Sequence, residues 1–124
     1  MDEQALRNNL VELLRGGHAH VTVEDALNKL KPQNRQVRPS SGVHSVWEEL
    51  EHIRIAQEDI LRYTLDPGWK SPKWPDGYWP SNSPIAEEAW NQAVSDLLSD
   101  LDEFVELVRN PKIDLTAALP HGEG

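Results

Sequence analysis

The sequence predicts an all-α fold: three long amphipathic helices and one short one, packed as an antiparallel bundle, with a tryptophan- and proline-rich loop before the last helix. Three observations lead there. Apolar residues recur at helical spacing in three separate segments, side-chain caps and Gly/Pro stops bound those segments, and no stretch alternates as a strand would. The whole chain, residues 1–124, reads as a single domain.

The first helix spans Asp2–Arg15, where Leu6, Leu10, Leu13 and Leu14 share one face. Gly16-Gly17 ends it, because glycine accepts the left-handed backbone of a helix terminus. Thr22-Val23-Glu24-Asp25 starts the short helix with a side-chain cap, and Lys31-Pro32 closes it. Gln33 to His44 reads as loop. From Ala26 to Trp47 there are four basic residues (Lys29, Lys31, Arg35, Arg38) and no acid, so this region is locally positive.

Ser45-Val46-Trp47-Glu48 is an S-x-x-E capping box. After it, Val46, Leu50, Ile53, Gln57, Ile60 and Thr64 form a stripe, and Asp66-Pro67-Gly68 stops the helix. Trp69 to Pro84 then holds three of the five tryptophans, Tyr78 and four prolines. Prolines at that density exclude a helix, while the aromatic surface demands burial, so an ordered loop is expected. Its rings either cover core or wall a small-molecule pocket. Ser83-Pro84 predicts the start of the last helix, with the cap followed by proline at the first position. Ala86, Trp90, Ala93, Leu97, Leu101, Phe104 and Val108 share its inner face. Glu87, Glu88, Asp96, Asp100, Asp102, Glu103 and Glu106 read as its solvated face, and Asn110-Pro111 ends it.

The chain carries a net charge of −9, which argues against nucleic acid or an anionic membrane surface as partner. No apolar run approaches the roughly 20 residues that span a bilayer. The acidic amino terminus does not resemble a secretory signal, so a cytoplasmic location is expected. Without cysteine there is neither a thiolate cage nor a cysteine nucleophile. No G-x-S-x-G elbow, P-loop or dinucleotide-binding glycine pattern occurs, and no two histidines stand at i, i+4.

Five histidines remain: His18, His20, His44, His52 and His121. His52 lies inside the best-defined helix, about 120° from the centre of the apolar stripe at 100° per residue. It shares that flank with Glu48, Glu49, Ala56, Asp59 and Tyr63. There an imidazole borders a groove, either as a half-buried polar residue or as a metal ligand.

Four segments together resemble the DinB-like superfamily: Gly16-Gly17-His18-Ala19-His20-Val21, the helix Trp47 to Ile60, Trp74-Pro75-Asp76-Gly77-Tyr78-Trp79-Pro80, and Pro120-His121-Gly122-Glu123-Gly124. The resemblance implies an antiparallel four-helix bundle, typically a homodimer, that holds a divalent metal (zinc, nickel or iron) through three histidines. His52 matches one ligand. The other two belong to an H-x-x-x-H pair on a last helix that this sequence lacks, so the chain by itself is expected to be inactive. Among the chain's other histidines, His18, His20 and His121 are the weaker candidate ligands. Tyr78, Trp79, Trp47 and Asp59 are the expected pocket walls. The resemblance implies a divalent-metal-dependent enzyme of thiol transferase or hydrolase type (thiol-dependent isomerases also occur among relatives), with a small molecule or low-molecular-weight thiol as ligand. The alternative is a non-catalytic association module that dimerises through an apolar groove. A third expectation is that the sequence is a portion of a longer product.

Overall fold

A computed structural model describes residues 2–16 and 22–121. His18 and His20, the weaker candidate ligands, lie outside the described residues. Among the described residues four helices form: α1 (Glu3–Arg15), α2 (Val23–Lys29), α3 (Val46–Leu65) and α4 (Glu87–Arg109). Single 3₁₀ turns occur at Pro32–Asn34 and Asp76–Tyr78, and there is no strand among the described residues. The expected three long helices and one short helix are all present.

The caps act where the sequence places them. Asp2 accepts from the Gln4 amide, Thr22 from Asp25, and Ser45 forms a complete capping box with Glu48. Gly16 takes φ 66°, and its N–H closes the last turn of α1 on the Glu12 carbonyl. α4, however, begins at Glu87, with Ala86 at the cap position, rather than after Ser83. The reason is competition for the backbone. Gln36 donates to the carbonyls of Asn82 and Ser83 and accepts from the Ile85 amide, which holds Asn82–Ile85 outside the helix.

α4 is the central helix, packed against both α1 and α3. It lies antiparallel to α1, since Arg7 reaches the carbonyls of Val108 and Asn110 while Val11 packs on Val105 and Val108. Against α3 the registers rise together. Trp47 meets Trp90, Gln57 donates to the Leu97 carbonyl, and Arg62 pairs with Asp100 and Glu103. The two helices therefore run parallel. Alternating direction holds for α1 against α4, whereas the parallel α3–α4 pair needs the long crossover of Asp66 to Ala86.

The core has two parts: Trp47, Leu50, Trp90, Ala93 and Leu97 between α3 and α4, and Val11, Val105 and Val108 between α1 and α4. The predicted faces shift by about one position. Leu13 is 78% exposed, and its place in the interface is taken by Arg7, at 1%. On α3, Val46, Ile53 and Ile60 are exposed, because α4 takes the Trp47, Leu50 and Leu61 side. Asp100, expected on the solvated face, is buried beside Arg62, and burial raises its carboxyl above the ordinary range.

Candidate functional site: the histidine flank of α3

After α3 the chain turns back and descends one flank of that helix, fastened at three positions seven residues apart, Asp59, His52 and Ser45. At the top, Asp59 accepts from the Trp69 indole at 3.0 Å, from the Tyr78 hydroxyl at 2.6 Å and from the Ser71 hydroxyl. Burial pushes the Asp59 carboxyl up, but the Ser71, Tyr78 and Trp69 donors outweigh it and hold the group below its usual value. The same bond to Asp59 raises the Tyr78 phenol.

At the middle position, His52 lies 2.8 Å through Nδ1 from the Tyr78 carbonyl. Its ring stacks flat on Trp79, with centroids 3.8 Å apart and planes 8° apart. His44 covers the other face of that indole at 4.1 Å, so Trp79 lies between two imidazoles. At the bottom, the buried Ser45 hydroxyl donates to the Asn82 side chain at 2.8 Å, and Asn82 donates to the Gln36 carbonyl at 3.0 Å.

This geometry decides the tautomer of His52. A carbonyl oxygen only accepts, so Nδ1 carries the hydrogen, and in the neutral ring Nε2 holds the free lone pair. A histidine that binds a metal through one nitrogen commonly donates from the other to a carbonyl or carboxylate, which fixes ring direction and raises ligand basicity. Stacking on Trp79 removes the remaining rotation. His52 therefore fits as one metal ligand.

The remaining candidates do not assemble around it. His121 donates through Nε2 to the Tyr63 carbonyl and packs on the Tyr63 ring, with its Nδ1 buried and unpartnered. Tyr63 is eleven residues along α3 from His52, about 16 Å at 1.5 Å per residue. Among the described residues no three His, Asp or Glu side chains come together in a way that holds a metal ion. Asp59 holds Tyr78 and the loop, Trp79 packs between His44 and His52, and Trp47 does not join them. It is buried at 6% exposure against Trp90, where the core needs its volume, which corrects its assignment as a pocket wall. Trp74, at the loop's tip, is 73% exposed.

Sequence reasoning placed His52 and Asp59 on one flank but missed His44 and the reach of the loop. The available signal was the polar spacing of Ser45, His52 and Asp59, followed by a segment too rich in rings and prolines to be anything but docked.

A family profile for the DinB superfamily matches residues 18–119, most of the chain and all of this flank. The chain belongs to the DinB superfamily. No curated protein and no solved structure matches it. No helix of this DinB domain, among the described residues, is long and apolar enough to cross a membrane.

Proposed function

We propose that this DinB domain is a helical scaffold that presents His52 Nε2 as one ligand of a divalent metal, zinc, nickel or iron. The observation that carries the reading is the Nδ1 hydrogen bond to the Tyr78 carbonyl, reinforced by the flat stack on Trp79. The described residues do not make a complete metal site, so the other ligands come from outside them and no reaction step is assigned to the chain. In a complete site the metal would acidify a bound thiol or water. A small-molecule or thiol ligand, a homodimer and a cytoplasmic setting belong to the same proposal and rest on the resemblance.

The test uses paramagnetic Co²⁺ or Ni²⁺ added at low occupancy, read by proton NMR of the imidazole resonances. His52 is expected to broaden first, and His52→Ala to leave no early-broadening ring. Broadening of His18, His20, His44 or His121 ahead of His52 overturns the assignment.

A second reading, a non-catalytic module that associates with another copy, is supported by the exposed row Val46, Ile53 and Ile60 on α3. Light scattering is expected to give a dimer that Ile53→Glu dissociates. A monomer at all concentrations rejects it.

A further inference from the structure

The helix start that Ser83-Pro84 encodes goes unused, and α4 begins about one turn later at Glu87. The observed start is a poor one. Ala86 stands at the cap position and offers no side-chain acceptor, so the Glu87 and Glu88 amides have no partner within the helix. Ser83, by contrast, carries a capping hydroxyl and is exposed, and Pro84 already has the φ of a first helical residue. With α4 started there, Glu87 would donate to the Ser83 carbonyl and Glu88 to that of Pro84.

Two contacts keep the segment out of the helix. The Gln36 side chain donates to the Ser83 carbonyl at 2.6 Å and the Asn82 carbonyl at 3.3 Å, and accepts from the Ile85 amide at 3.3 Å. Ile85 also packs against the cluster of Trp47 and Trp90. In a longer α4 it would point about 110° away from the face of Trp90, Ala93 and Leu97.

The same segment is the lower fastening of the loop over His52, through the Ser45–Asn82 bond. Chain length ties the two together. Trp47 lies beside Trp90 and Gln57 reaches Leu97, so His52 is level with about Ala93 of the parallel α4. Pro84 as a first helical residue would stand nine residues below that level, about 14 Å along the axis. One helix spacing, about 9 Å, separates the two axes, and the direct span is then roughly 17 Å. The five-residue step from Trp79 to Pro84 reaches only about 17 Å when fully extended. Yet the loop lies on the far flank of α3, since His52 and Asp59 stand about 160° round that helix from Trp47 and Leu50, and rounding it needs more. Trp79 therefore cannot stay on His52 when α4 starts at Pro84.

We infer that residues 80–86 are a two-position strap with Gln36 as its latch. Held out of α4, they keep Trp79 on His52; wound into α4 as a further turn, they lift Trp79 away and open the His52 flank. What the strap governs rests on the metal-ligand reading of His52, whereas the movement itself is read without metal.

Q36A removes the latch, and I85A removes the packing hold while supplying a better helix former. In each variant, hydrogen exchange is expected to show the Glu87 and Glu88 amides at least about fivefold more protected than in the parent protein. Adding S83A to either removes the new cap and is expected to take back about fivefold. Proton NMR reads the strap: the His44 and His52 ring protons, stacked on Trp79, are expected to move toward free-histidine positions in the variants that gain protection. I85A keeps every Gln36 bond, so the test survives if Q36A does not fold. Unchanged Glu87 and Glu88 protection, a gain that S83A leaves intact, or a gain with the His52 ring unmoved each overturns the inference.

Discussion

Replacing Asp59 by alanine removes the carboxylate that gathers three donors from the crossover loop. Hydrogen bonds to a charged group contribute about 1.5–3 kcal/mol each. Ser71 is exposed and water replaces its bond, so only the Trp69 and Tyr78 bonds are counted. At the lower end of the range these two sum to about 3 kcal/mol, which raises the loop's opening equilibrium roughly 150-fold. The effect is local because α3 and α4 keep their own interface. Hydrogen exchange reads it directly: the amides of Gly77, Tyr78 and Trp79, bonded within the loop, are expected to lose about two orders of magnitude of protection while Val105 in α4 changes little. Loop amides within threefold of the parent protein, or equal losses in the loop and α4, would refute Asp59 as the loop's fastening. Acid should reproduce part of the effect. The folded carboxyl is depressed, so its contribution is complete at neutral pH and is lost as pH falls below the ordinary carboxylate range.

The other substitutions probe separate parts of the fold. Arg7→Met keeps the bulk of a buried side chain but abandons the carbonyls of Val108, Asn110 and Ile113, so a loss of about 3 kcal/mol is expected. Calorimetry should show the melting temperature falling by roughly 12 °C. Glu48 is held at about 2, chiefly by its hydrogen bonds from Arg38, with Ser45 contributing and burial opposing. Its stabilisation is therefore complete above about pH 4.3, the unfolded value, and is lost as pH falls toward 2. Arg38→Ala should move the acid transition in far-UV circular dichroism to higher pH, and an unmoved transition rejects the pair. Gly77→Ala places a Cβ 2.9 Å from Pro72 Cβ and 3.2 Å from its carbonyl carbon. The backbone must shift, so Tyr78 and Trp79 should lose about tenfold in exchange protection, near the lower end of overpacking costs.

Local signals in the sequence are legible because they act locally. The Ser45 capping box and the stop at Asp66 bound α3 within a residue, and Gly16 ends α1 as its chemistry requires. Such signals are overridden wherever a distant residue competes. Ser83-Pro84 is a sound helix start in isolation, but Gln36, remote in sequence, claims that backbone first. The apolar face of α3 was misplaced because Trp47 and Leu61 join the interface and leave Ile53 and Ile60 outside it. Parallel packing of α3 and α4 was not legible at all, since periodicity gives the face of a helix and not its direction. His52 was placed on the right flank by angle alone. Its tautomer depends on the carbonyl of Tyr78, delivered by a loop whose path no spacing rule predicts.

The Tyr78 carbonyl fixes His52 with hydrogen on Nδ1 and a free lone pair on Nε2. Long-range ¹H–¹⁵N NMR of the imidazole, at a pH where the ring is neutral, reads this directly. A pyrrole-type Nδ1 and a pyridine-type Nε2 are expected in the parent protein, and a mixture of tautomers once Asp59→Ala releases the loop. A His52 that carries its hydrogen on Nε2, or averages freely between tautomers with the loop docked, contradicts it.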